Sequence, residues 1–223
     1  MWFLYQFPLC PFSRKIRLLM GEKNIAYEPV REDPWNASDA FFNLNPAGRT
    51  PVAVSEDRST VLADSRAIGE YLEETVDRSP MISGNAKARA EIRRLTALFD
   101  ESFFRDVTEP LLNERMKKRL ILRQPPDSTV LSEAMRMAHG HLDYMDWLID
   151  NRPWLAGSTM SMADLAAAAQ ISVADYLGGI DWTDHEQTRG WYAVFKSRPS
   201  FQPLLTERMD GIRPPAHYGD IDG

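Results

Sequence analysis

Three short segments within the first 65 residues carry side chains that can do chemistry. The first is Leu9-Cys10-Pro11-Phe12-Ser13-Arg14. Pro8 and Pro11 break the strand-like run from Trp2 to Phe7, and the spacing of Phe12, Ile16, Leu19 and Met20 predicts a helix to about Lys23. Cys10 therefore falls at a strand-to-helix turn. A thiol at a helix N-terminus sits in the partial positive charge of free backbone N–H groups, which favours the nucleophilic thiolate. Arg14 and Lys15 add positive charge nearby. Ser13 stands where a Cys-x-x-Cys motif has its second thiol, so redox chemistry here would run through mixed disulfides. The plain alternative is a packed, unreactive cysteine.

The second segment is Arg49-Thr50-Pro51-Val52, at the entrance to a predicted strand. Pro51 is a candidate cis peptide, and a cis turn there would expose Val52 backbone groups to an extended, peptide-like ligand. An ordinary strand-initiating proline fits equally well. The third is Asp64-Ser65, which caps a helix over residues 64–75. Its free N–H groups would hold a carboxylate, and the Asp64 side chain could accept an amino group. A plain N-cap is the simpler reading.

The elements that position these segments follow from local signals. The first 80 residues alternate strand and helix in the order βαβαββα, with a hairpin around Glu56-Asp57-Arg58-Ser59. Residues 79–85 look like a linker. Beyond it strand signals fade. Residues 87–123 read as one long helix or two, with Pro110 as a kink. A second helix starts at Asp127 or Ser128 and runs to about Asn151, and Ser161-Met162-Ala163-Asp164 has capping-box spacing before an Ala-rich helix. Another helix covers residues 185–196. Residues 211–223 show no helical period.

Composition limits the function classes. The 223 residues are 43% hydrophobic and carry a formal charge of −6, divided evenly between the two halves, which argues against nucleic acid as a partner. Apolar runs are too short to span a bilayer, and nothing around Met1 to Tyr5 reads as a signal peptide, so a cytoplasmic protein with no membrane insertion is expected. One cysteine excludes an internal disulfide. No Cys/His cluster has zinc spacing, and His139 and His141 point to different sides of a helix, so no metal site is predicted.

Together, the loop at Cys10, the Thr50-Pro51 turn and the Asp64-Ser65 cap in a βαβαββα frame resemble the thioredoxin-like domain of the glutathione S-transferases. Trp154-Leu155-Ala156-Gly157, Ser161 to Asp164 and Lys196 to Phe201 are similar to the all-helical half of the cytosolic members. The resemblance implies a thioredoxin-like domain over 1–78, an all-helical domain over 85–209 and an extended tail over 210–223. It implies glutathione as a co-substrate, with no obligatory cofactor. Thr50, Pro51 and Val52 would meet the cysteinyl backbone of glutathione, Asp64 and Ser65 the γ-glutamyl end, and Arg49 the glycine carboxylate. Cys10 would be catalytic, with Ser13 or Tyr5 as the alternative that hydrogen-bonds a thiolate.

Phe7 to Arg17, Trp35 after Asp33-Pro34, Asn45 to Gly48, Ala63 to Ile68, Asp175 to Gly178 and the ending Pro214 to Asp222 resemble a branch of the same family that acts in division. That likeness implies a homodimer binding FtsZ filaments at the division site, with the glutathione cleft weak or vestigial. Serine is common in that branch where this chain has Cys10. An active glutathione transferase using Cys10 is the other reading, and a carrier of hydrophobic anions a third. For partner contact the sequence offers Trp35 in a polar turn, the basic run containing Arg115, Lys118 and Arg119, and His217, Tyr218 and Asp220 after the stiff Pro214-Pro215 pair. Each has a plainer alternative: a loop tryptophan folded back, a solvated helix face and a disordered end.

Overall fold

Trp2–Gln6 forms β1, an aromatic-rich strand whose Leu4 and Gln6 are buried while its other residues are half-buried. The computed structural model describes residues 1–220, so the end of the expected tail, including Ile221 and Asp222, lies outside the described residues. The chain divides into two units, Met1–Met81 and a second beginning at Ile82.

In the first unit, α1 (Pro11–Glu22) starts where Pro11 presets the first helical φ. Tyr27–Arg31 makes β2, Asp39–Leu44 the short α2, Val52–Ser55 and Val61–Ala63 the hairpin β3 and β4, and Ser65–Thr75 the closing helix α3. The sheet order is β2-β1-β3-β4, with β1 parallel to β2 and the other pairs antiparallel. Leu4, Ile16, Leu19, Met20, Phe41, Val52, Val54, Ile68 and Leu72 form its apolar interior. This is the thioredoxin-like arrangement. Lys23 is fully buried beneath it, yet its ammonium meets Glu73 at 2.9 Å and the carbonyls of Val76 and Arg78, so the charge stays compensated.

The second unit is helical. Helix α4 (Ala86–Ala97) continues without a break through wider π turns at Leu98–Thr108, a regular stretch α5 (Glu109–Leu112) and further π turns at Asn113–Leu122. Pro110 neither ends nor splits it. The proline falls just after the first π stretch, and π turns re-route the i→i−4 ladder that an internal proline would otherwise interrupt. The helix stops at Arg123, whose φ of 55° is left-handed, and α6 (Ser128–Asp150) follows, with Asp127 accepting from Thr129 N at 2.8 Å.

Met162–Tyr176 is α7, and every one of its residues is buried. Its alanines let neighbouring helices approach closely, as a helix apolar on all sides requires. The capping box is present as predicted. Asp164 accepts from Leu155 N, Ser161 N, Ser161 Oγ and Trp191 Nε1 at 2.8 to 3.3 Å. Burial pushes the Asp164 carboxyl up, and these four donors pull against it. Gly178, at φ +68°, and Gly179 end α7. A Cβ on Gly179 would lie 2.2 Å from a Leu111 methyl, so any side chain here would have to displace the buried Leu111. Helices α8 (Glu186–Lys196) and α9 (Gln202–Thr206) follow, and a 3₁₀ turn lies at Ala216–Gly219 in the tail.

Candidate functional site

Cys10 is the N-cap of α1. Its own N–H bonds to the Phe7 carbonyl and its carbonyl accepts from Arg14 N, so the backbone of the turn is satisfied without the thiol. The sulfur is half-buried and reaches the Thr50 carbonyl at 3.6 Å. The Thr50–Pro51 peptide is cis.

Strand register explains why three distant segments share one end of the sheet. Val52, directly after Pro51, pairs with Tyr5 on one side and with Ala63 on the other. Tyr5 leads into the Cys10 turn, and Ala63 leads into Asp64. Asp64 caps α3 with Oδ1 on Arg66 N at 2.7 Å and holds φ at +79°, a conformation that L side chains rarely adopt. Its side chain is exposed, while Ser65 is buried. Arg49 is exposed, and its carbonyl is fixed by Asn45 Nδ2 at 2.7 Å. Buried here without a hydrogen-bond partner are Ser13 Oγ and Thr50 Oγ1. The half-buried thiol and the exposed, strained acidic cap share this end of the sheet, whereas the Ser13 hydroxyl lies fully beneath its surface and as placed cannot meet a thiolate as expected.

Another detail differs from expectation. Neither Arg14 nor Lys15 lends a solvent-facing charge to the thiol; both are buried, with Arg14 Nε donating to the Pro8 carbonyl at 2.7 Å.

The residues expected to meet a partner behave unequally. Trp35 is half-buried and lies edge-on to Phe7 at 5.5 Å, so its ring is folded back and offers a partner only part of its surface. Lys118 is neutralised by Glu114 at 2.6 Å, because Glu114 sits one turn earlier on the same face. Arg115 is half-buried and donates to the Leu177 carbonyl. Arg119 remains exposed and lines two neighbouring cavities of about 1000 Å³ and 610 Å³, the larger shared with Arg208, Arg213 and the tail.

Tyr218 must be corrected. Its ring has no exposed surface, packs edge-on against Tyr176 at 5.1 Å and donates to the Leu204 carbonyl at 3.2 Å. It anchors the tail and cannot touch a partner directly. The reason lies in residues far upstream. Tyr176 Oη in turn accepts from Met209 N and donates to the Ile212 carbonyl. Buried Asp175 accepts from His217 Nε2 at 2.9 Å and from Trp182 Nε1 at 3.1 Å. Lys196, also buried, donates to the carbonyls of His217 and Asp220 and lies over the Tyr192 ring. Burial pulls the Lys196 ammonium below its ordinary range. Of the tail residues, Asp220 keeps its side chain exposed, and His217 keeps it partly exposed.

Sequence reasoning missed Asp175 and Lys196 as the clamp on the tail. Both belong to segments singled out for other reasons, and nothing in their spacing reveals a bond to residues 21 to 42 positions away.

Residues 9–75 match the family model for the glutathione S-transferase N-terminal domain. FtsZ-localized protein A of Caulobacter vibrioides is 42% identical over 221 residues, spanning 98% of this chain and 97% of the relative. The solved structure of FzlA from C. crescentus superposes with a TM-score of 0.96 at 41% identity, covering 100% of this chain and 99% of that one. A glutathione S-transferase structure from Rhodospirillum rubrum F11 gives the same TM-score at 46% identity over 100% of both chains. The chain therefore belongs to the glutathione S-transferase family, and its full length is similar to FtsZ-localized protein A.

Proposed function

We propose that this protein is an assembly factor of bacterial division that docks on FtsZ polymers as a cytoplasmic homodimer, with a weak or vestigial glutathione site. The observation that carries this reading is the similarity to FtsZ-localized protein A over 98% of the chain. The FzlA structure covers all of this chain, including the tail that Tyr218, His217 and Lys196 hold in place. A firmly held tail presents Asp220 at a fixed position, as a recognition surface requires. Two copies of one docking face would bring two filament contacts together and raise avidity without any new bond. Arg119, Asp220 and the open sides of Trp35 and His217 are the surfaces assigned to the partner.

The experiment is co-sedimentation with purified FtsZ. The protein should pellet with FtsZ in GTP, where polymers form, and stay in the supernatant in GDP. Failure to pellet with GTP polymers overturns the proposal.

A second reading has one observation in its favour. Cys10 stands at the start of α1 within 3.6 Å of the Thr50 carbonyl, free of any capping bond. That is a position for a thiol that exchanges with glutathione. This reading expects glutathione-dependent thiol transfer that Cys10→Ala abolishes.

A further inference from the structure

The helical unit holds a second cluster of reactive side chains, unrelated to Cys10 and to the tail. His185, at the N-terminus of α8, is fully buried. Its Nδ1 lies 2.7 Å from Asp146 Oδ2 on α6. A carboxylate only accepts, so Nδ1 carries a proton, and the neutral form of the ring keeps a lone pair on Nε2. Asp146 is itself fixed, since its Oδ1 accepts from Thr188 N and Thr188 Oγ1, both at 2.7 Å. The Nε2 lone pair faces His139 Nδ1 at 2.7 Å. Asp143, one turn along α6 from His139, has Oδ2 3.8 Å from His139 Nε2 and Oδ1 3.9 Å from His185 Nδ1, so its exposed carboxylate must swing toward His139 Nδ1 and His185 Nε2 to share an ion with them. The donor atoms of His139, Asp143 and His185 all lie within 4.8 Å of one another.

The geometry points to a metal site for a borderline divalent cation of the Zn²⁺ type, with His185 Nε2, His139 Nδ1 and the Asp143 carboxylate as ligands. Two imidazoles and a carboxylate are the donor set such ions prefer, with the remaining position left to water. The Asp146–His185 bond is the carboxylate–histidine arrangement that orients a ligating ring and raises its basicity. It is already complete. Tetrahedral bonds of about 2.05 Å place two ligand nitrogens about 3.3 Å apart, so His139 must retreat by roughly 0.6 Å from its present 2.7 Å. His139 and Asp143 can adjust, since their side chains are 54% and 61% exposed, while His185 stays fixed. The cation then takes the place of the proton that His139 Nδ1 now shares with His185, and His139 carries its proton on Nε2 instead. Bound metal would tie α6 to the start of α8.

The test titrates Zn²⁺ into the full, untagged chain against a chromophoric chelator, with Cys10→Ser beside it to remove the thiol as a ligand. One Zn²⁺ per chain is expected in both. His139→Ala and Asp143→Asn should each weaken binding at least tenfold, with metal-free Asp143→Asn melting as the parent chain does and His139→Ala still unfolding in a single transition. Co²⁺ should give visible d–d absorption that His139→Ala removes. The proposal is overturned if the parent chain takes up no Zn²⁺, if both variants bind as tightly as the parent, or if Co²⁺ shows a thiolate charge-transfer band that Cys10→Ser removes.

Discussion

Replacing Tyr218 with Ala asks whether the tail is part of the folded core. The ring is fully buried, and an aromatic side chain in that state removes about 150–250 Å² from water. At about 25 cal/mol per Å² this corresponds to roughly 4–6 kcal/mol, and a compact denatured state lowers it to about 3–5 kcal/mol. Measured large-to-small losses for buried aromatics fall in the same range, about 3–5 kcal/mol. Tyr218→Phe keeps the ring against Tyr176 and loses the bond to the Leu204 carbonyl, a loss of about 1 kcal/mol. Urea unfolding of the two variants should therefore show a large and a small shift in midpoint at constant m-value. The Met209 amide, held by Tyr176 Oη, should lose exchange protection in Tyr218→Ala and keep it in Tyr218→Phe. A loss below 1 kcal/mol for Tyr218→Ala, with Met209 still protected, would refute the packing argument and return the tail to a free arm.

The other predictions concern the same unit and its surface. Asp164→Ala leaves four buried donors without their acceptor, Leu155 N, Ser161 N, Ser161 Oγ and Trp191 Nε1. It should cost about 3–5 kcal/mol in chemical denaturation. Lys196 is lowered by burial, so the unfolded chain binds its proton more tightly than the folded one. Stability relative to Lys196→Met should accordingly rise with pH from the depressed folded value up to about 10.4, and level off above it. A flat difference across that window would contradict the assignment. Asp220→Lys and Arg119→Glu should each weaken FtsZ co-sedimentation with unchanged melting temperature, because both side chains are exposed, and the effect should shrink as salt is raised.

The thioredoxin-like unit was largely legible because its signals are local. Pro11 starts α1, Asp64 caps α3, and the Pro51 junction sits at the entrance to β3, all within a few residues of the feature they specify. The capping box at Ser161 and Asp164 was legible for the same reason. What the sequence hid depends on pairs far apart along the chain. Tyr218 is buried because Tyr176 and Leu204 enclose it, and Lys118 is quiet because Glu114 lies just outside the basic run. His139 and His185, 46 positions apart, meet only because α6 packs on α8. The π turns before Pro110 have no sequence signature we can name, and they let a proline stay inside a continuous helix.

On the proposed reading, this glutathione-transferase fold docks on FtsZ polymers without using its thiol. A sedimentation titration of Cys10→Ala against FtsZ–GTP, run with and without excess reduced glutathione, tests it most directly. The expected binding curve overlays that of the unmodified protein and does not move with glutathione. Loss of polymer binding in Cys10→Ala, or its displacement by glutathione, would contradict it.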